Sequence, residues 1–281
     1  MTSLISSLAW MKIEFMQRAL LGSLIVSIVS GLVGLFVVLR RIIFISMSLA
    51  EVSSAAVALA FLLGWNPSIT AVAITLGATF ALAIAGHRSS RFPPEALVAI
   101  VYMLASSAAI LIIAKNPQGE VDLMNVLFGN ILTVSSKQLW ETLAVGLPAI
   151  VAVLYFLRSF VFTAFDAEMA SALGIRSGAW QALFYLILGS VIVTGIRMSG
   201  ALLTFAYLVI PAYCGLRLSR TLKGVVAWSM VIGPVATFFG LWASFLFDLP
   251  TGPTITAILV TTALSVIGAK NLARLTPRRA V

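Results

Sequence analysis

Charged residues divide the chain into long apolar runs, and the spacing of these runs predicts membrane-spanning helices. A spanning helix needs about 20 predominantly apolar residues. The uncharged run 52–86 is too long for one span, and the sequence WNPS at 65–68 breaks it with a turn, because proline disfavours helix at the preceding residue. The pattern predicts nine spans, near residues 18–39, 43–64, 68–86, 97–114, 138–157, 177–196, 198–216, 224–247 and 249–270.

The composition places most of the chain in lipid. Of the 281 residues, 61% are hydrophobic and 10% are charged, and the mean hydropathy is +1.10. An ordinary soluble domain carries roughly 25% charged residues, which cover its surface in water. This excludes a soluble globular fold, a disordered chain and a coiled coil. We expect an all-α polytopic bundle of about nine transmembrane helices, forming one domain over residues 1–281.

The net charge of +9 reflects the two sides of a membrane rather than nucleic-acid binding. Basic residues collect in the cytoplasmic loops of membrane proteins. With nine spans and a cytoplasmic C-terminus, 13 of the 18 basic residues lie inside. The remaining five lie outside: Lys12, Arg18, Lys115, Lys137 and Arg197. We therefore expect the N-terminus outside and the C-terminus in the cytoplasm.

Four segments lie between or beyond the predicted spans. Residues 1–14 form a short amphipathic stretch, which predicts an interfacial segment, and 115–137 contains an apolar centre that is too short to span. The cytoplasmic segment 159–177 has Asp166 before a helix-forming run and Gly174 after it, in agreement with helix capping. The basic tail 271–281 is expected to lie against anionic headgroups.

Glu51 is the clearest candidate for chemistry, because ionisable residues inside a span are costly and rare. Met47 lies four residues earlier on the same helix face, and Ser48 and Ser54 flank that face at spacings of three. A small-residue row, which lets another helix approach closely, occupies positions 46, 50, 54 and 58. This pattern favours a cation pathway at Glu51. The alternative is a carboxyl group that only locks packing by hydrogen bonds to the two serines.

Other patterns argue against catalysis. One histidine and one cysteine do not form a metal site together. The chain has no Gly-x-x-x-x-Gly-Lys-Ser/Thr stretch, so it has no P-loop for ATP, and no nucleophile–base arrangement is visible. Transport is the natural class. A carrier driven by an ion gradient, with Glu51 as its titrating group, and a non-transporting scaffold remain open at this point.

Five motifs occur in order along the chain. They are FVVLRR at 36–41 with FI at 44–45, VDLM at 121–124 with LFGNIL at 127–132, the stretch 165–174, SGALL at 199–203 with LVIPA at 208–212, and DLPTGPT at 248–254. Together they resemble the membrane permease subunit of the bacterial ABC transporters that take up zinc, manganese or iron. The resemblance covers nearly the whole chain.

The resemblance implies the partners and the mechanism. Two permease chains form the pathway, a cytoplasmic ATPase dimer drives it, and an external substrate-binding protein delivers the ion. The short helix with Asp166, Glu168, Ala172 and Gly174 would contact a groove on the ATPase. The chain itself would be no enzyme and would hold no cofactor of its own, and it would lie in the bacterial cytoplasmic membrane.

One departure from the family concerns the metal contacts. The family usually has an acidic residue and, four positions later, a histidine on the second span, and the matching positions here are Met47 and Glu51. A carboxylate suits harder ions such as manganese or iron, whereas a thioether suits softer ones. We expect a divalent transition metal, with zinc first and manganese or iron next. An importer for a metal chelate, which needs no bare-ion site, is the open alternative.

Overall fold

The computed structural model describes residues 14–88, 94–115, 134–165, 167–174 and 176–275. All regular structure in these ranges is helical. The helices are α1 (Glu14–Leu39), α2 (Ile43–Leu63), α3 (Pro67–Arg88), α4 (Pro94–Ile113), α5 (Ser136–Tyr155), α6 (Leu157–Phe165), α7 (Ala167–Ala172), α8 (Ser177–Leu218), α9 (Leu222–Phe247) and α10 (Thr251–Leu275).

Most of these helices fit the predicted spans. In the described part of the chain, seven helices are long and apolar enough to cross a membrane, namely α1, α2, α4, α5, α8, α9 and α10. Helix α3 contains a shorter apolar stretch at Pro67–Ala83. The observed α2 and α9 begin and end within two residues of their predictions. The expected all-α membrane bundle is confirmed. Helix α10 continues to Leu275, five residues into the predicted tail.

Helix α8 contains two predicted spans. Its 42 residues would measure about 63 Å as one straight helix, roughly twice the hydrocarbon thickness of a bilayer. The helix is broken at Gly200, where φ is 80° and ψ is 166°, a region of backbone conformation that is essentially restricted to glycine. Gly200 therefore divides α8 into a first arm, 177–199, and a second arm, 201–218.

The two arms fold back on each other. A Cβ atom built on Gly195 would lie 2.6 Å from the methyl group of Thr204. Nine residues along a straight helix would separate these positions by about 13.5 Å. The first arm also runs antiparallel to α1, since Phe184 packs against Phe36 while Met198 packs against Gly22. The prediction placed the boundary at Arg197, but this residue is helical and the reversal occurs at the glycine.

Very close packing joins α1, the second arm of α8, and α9. A Cβ atom on Gly34 would lie 1.8 Å from the carbonyl oxygen of Leu208, and one on Gly31 would lie 2.2 Å from that of Ser229. Helices in lipid gain little from the hydrophobic effect when they associate, so backbone contact of this kind contributes much of their attraction. These three helical segments form the centre of the bundle.

An aromatic cluster lies at the end of α1 where the chain turns into α2. Phe36 contacts Phe160 of α6 and Phe184 of α8 at ring-centroid distances of 5.7 and 5.9 Å. Trp180 lies against Phe160 at 5.5 Å. The helix-forming run predicted between Asp166 and Gly174 is helical in the structure, as α7. A separate helix, α6, precedes it, and its Phe160 is buried in this cluster.

Candidate functional site

The face shared by α2 and α4 carries the acidic residue of the second span. Glu51 is half-buried on α2, and the hydroxyl group of Ser106 on α4 lies beside its carboxylate. Sequence analysis missed Ser106, which is 55 positions away in the chain. The adjacent pair Ser106-Ser107 interrupts an apolar stretch of α4, and this pair was the only sign in the sequence of a polar group at that level.

Met47 lies on the same face of α2, beside a cavity. The cavity has a volume of about 330 Å³. Its lining residues are Phe44, Met47, Glu95, Val98, Ala99 and Tyr102. On α4, positions 95, 99, 102 and 106 follow one helix face at spacings of three and four. The structure therefore brings Met47, Glu51 and Ser106 to one helix–helix contact, with Glu95 at the start of α4.

Neither of the two flanking serines, Ser48 and Ser54, makes the hydrogen bond to Glu51 that the packing alternative requires. Ser54 donates its hydroxyl proton to the carbonyl oxygen of Ala50 at 3.1 Å, a bond within its own helix. Ser48 is buried, and its hydroxyl has no hydrogen-bond partner among the described residues. The hydroxyl group that reaches Glu51 comes from α4 instead. Ser48 and Ser54 allow α2 to pack closely.

The donor atoms on this face suit a weak, transient cation contact. They are a carboxylate from Glu51, a hydroxyl group from Ser106 and a thioether from Met47. The described residues contain no group of three or more His, Cys, Asp or Glu side chains that could hold a metal ion. A transport site must release its ion, so a small donor set is compatible with passage rather than storage.

The predicted ATPase-coupling residues are only partly visible. Asp166 and the side chain of Glu168 lie outside the described part of the chain. Ala172 is exposed, and Gly174 has φ of 81°, with no described atom within 4 Å of the position of a Cβ atom. Large apolar side chains on this segment are also exposed, namely Phe165, Met169 and Leu173. These side chains, from the end of α6 to just beyond the end of α7, give the segment an exposed apolar surface.

An ion pair joins the end of the first arm of α8 to the beginning of α5. Arg197 and Glu141 approach to 2.9 Å, with 19% and 36% of their side chains exposed. The sequence alone suggests only separate helix-end effects for these two residues. Their pairing places the beginning of α5 beside the Gly200 reversal.

Comparison with known proteins gives consistent results. The chain is 28% identical over 254 residues to the manganese transport system membrane protein MntC of Listeria monocytogenes, covering 90% of this chain and 89% of that protein. It is 30% identical to MntC of Halalkalibacterium halodurans, covering 88% and 85%. The structure is similar to that of PsaBC from Streptococcus pneumoniae in complex with Fab, with a TM-score of 0.82, 26% identity and 94% coverage of each chain.

The family model for the ABC 3 transport family matches residues 12–269. This range includes the α2–α4 face, the coupling segment and both arms of α8. A match of this extent, along the whole bundle rather than at one motif, shows the family. The chain belongs to the ABC 3 transport family.

Proposed function

We propose that this chain is the membrane permease of an ATP-driven importer for a divalent transition metal ion. The observation that carries the proposal is the family match over residues 12–269 of a helical bundle with Glu51 on an internal helix face. ATP hydrolysis would take place on partner subunits, since the sequence has no P-loop. The chain supplies the path for the ion and the contacts that link it to the ATPase.

The cargo that we propose first is manganese. Relatives named as manganese transport proteins are similar to this chain over almost its whole length. The Glu51 carboxylate and the Ser106 hydroxyl supply oxygen donors, which suit Mn²⁺ better than a softer ion. Zinc, which the sequence analysis put first, stays a prediction that the same assay tests. A metal chelate would not need the Glu51 carboxylate.

The proposed path follows the contact between α2 and α4. Because α3 returns the chain between them, both helices begin at the same end of the bundle. Glu95 lies at that end, which is the cytoplasmic exit in the proposed orientation. Ser106, which is eleven residues further along α4, lies about 16 Å away along the helix axis. Along the bundle, Met47 lies between the levels of Glu95 and Ser106, and Glu51 lies at the level of Ser106. The ion would thus pass two carboxylates that are separated by an apolar cavity.

The partners and the orientation belong to the same proposal. The basic residues favour a cytoplasmic C-terminus, in the bacterial cytoplasmic membrane. A second copy of the chain would cover the outer face of α4, where large apolar side chains are exposed: Leu97, Ile100, Met103, Leu104, Ile110 and Leu111. The ATPase dimer would dock at the segment around Ala172 and Gly174. An external substrate-binding protein would deliver the ion at the opposite face.

Reconstitution of the complex in proteoliposomes tests this function. With the cognate ATPase and binding protein, we expect Mn²⁺ accumulation that requires ATP. Glu51→Gln removes the charge but keeps the shape, and it should reduce the transport rate by at least about tenfold, the effect of losing about 1.4 kcal/mol. Glu14→Gln, the same change at an exposed site on α1, should leave the rate unchanged.

The assay separates the alternatives. Accumulation without ATP but with an ion gradient would contradict the importer and support a secondary carrier. Uptake of a metal chelate at the normal rate in the Glu51→Gln variant would support a chelate importer. Faster uptake of Zn²⁺ than of Mn²⁺ would reverse our order of metals.

A further inference from the structure

Arg40 lies in the turn between α1 and α2, with its backbone held in place. Its amide donates to the carbonyl oxygen of Phe36 at 2.9 Å, and the amide of Ile42 donates to that of Val37 at 3.0 Å. Arg41 has φ of 58°, which is uncommon for a residue with a side chain. These bonds end α1 and direct the Arg40 side chain back towards the bundle.

The guanidinium group connects three elements that are distant in sequence. Its Nη2 atom donates to the hydroxyl oxygen of Thr163 on α6 at 3.0 Å. Its central carbon lies 4.6 Å from the ring centroid of Phe184 on the first arm of α8, a cation–π contact. The Nε atom is buried and has no hydrogen-bond partner among the described residues. Burial lowers the pKa of this guanidinium, and nearby Tyr185 opposes the shift.

This arrangement is more than apolar packing. Phe36, Phe160 and Phe184 already fill the space between α1, α6 and α8, with centroid distances of 5.7 to 6.0 Å. Burying a charged group among aromatic rings costs free energy unless its contacts compensate. An aliphatic side chain in the same place would pack without that cost. The arginine adds direction, because its planar group stacks on one ring while it donates to Thr163.

We propose that Arg40 is a positioning residue that makes the coupling segment move together with α1 and α8. Only residue 166 separates α6 from α7, so a displacement of α7 by the ATPase is passed to α6. The Arg40–Thr163 hydrogen bond then transmits it to the end of α1, and the contact with Phe184 transmits it to α8. The inference rests on the proposed function, since it assumes that an ATPase acts on this segment.

Thr163→Val tests the link because it removes one hydroxyl group and keeps the side-chain shape. The matched control is Thr142→Val on α5. Both threonines are buried and donate to the carbonyl oxygen four residues earlier, but only Thr163 accepts from an arginine. In proteoliposomes with the ATPase and binding protein, we expect Thr163→Val to transport about tenfold less Mn²⁺ per ATP hydrolysed. Its basal ATPase rate and that of Thr142→Val should equal the wild-type rate.

Further variants keep the test decisive if Thr163→Val does not assemble. Thr163→Ser retains the hydroxyl group and should retain wild-type coupling. Arg40→Lys keeps the charge but loses the planar group, and it should lose coupling as Thr163→Val does. Wild-type transport per ATP in Thr163→Val or in Arg40→Lys overturns the inference. Failure of the proposed function has a different signature, since the wild-type complex itself would then transport no Mn²⁺ with ATP.

Discussion

Replacing Gly34 with alanine tests the backbone contact between α1 and the second arm of α8. The added Cβ atom would lie 1.8 Å from the carbonyl oxygen of Leu208, 2.6 Å from its carbonyl carbon and 2.9 Å from its Cα atom. A relaxed carbon–oxygen contact is roughly 3.3 Å long. The two helices must therefore separate by about 1.5 Å at this point, because no side-chain rotation can relieve a clash with backbone atoms.

The cost follows from that separation. Inserting a methyl group into a filled interior typically costs about 1–3 kcal/mol when side chains adjust. Here only the backbone can move, and the close approach of Gly31 to Ser229 holds α1 against α9 as well. We expect Gly34→Ala to lower the free energy of unfolding by about 3 kcal/mol, the upper end of that range.

Unfolding of the purified protein by SDS in mixed micelles, followed by tryptophan fluorescence, measures this quantity. Gly77→Ala on α3 and Gly268→Ala on α10 are the matched controls, because among the described residues no atom beyond the adjacent backbone of the same helix lies within 4 Å of either added Cβ. They should be neutral or stabilising by up to about 1 kcal/mol, since alanine favours helix more than glycine does. A Gly34→Ala protein as stable as these controls would refute the close backbone contact.

Three further predictions concern the reversal in α8 and two polar contacts. Gly200→Ala should cost about 1–3 kcal/mol by the same unfolding assay, because alanine is strained at φ of 80°, and an unchanged midpoint would contradict the reversal. A double-mutant cycle on Arg197 and Glu141 should give a coupling energy below about 1 kcal/mol at low salt, falling further at high salt, and salt independence would contradict a partly solvated pair. Tyr207→Phe removes a buried hydrogen bond to Thr237 and keeps the ring, so it should cost about 1 kcal/mol, and an unchanged free energy of unfolding would contradict that hydrogen bond.

The helical bundle could be predicted because its cause is local. Each span is a run of apolar residues about as long as the hydrocarbon layer, and charged or turn-forming residues end it. The reversal in α8 was placed at Arg197 because charge is the visible signal of a boundary. The physical cause is the backbone of Gly200, and a glycine in an apolar run does not reveal which conformation it adopts.

Only the α2 half of the candidate site could be predicted from the sequence. Periodicity puts Met47 and Glu51 on one face of α2, but it carries no information about which helix covers that face. Ser106 and Glu95 come from α4, and only the tertiary packing of α2 on α4 brings them there. The contacts of Arg40 were missed for the same reason, because Thr163 is 123 positions away. The roles of Asp166 and Glu168 stay predictions.

The single-residue reversal at Gly200 also bears on biosynthesis. Consecutive Cα atoms are about 3.8 Å apart, so a connection of one glycine cannot span a bilayer or wait as a tether outside it. We therefore expect the two arms of α8 to enter the membrane as one hairpin. The centre of the bundle uses the second arm, so it can be completed only after residue 218 has been synthesised.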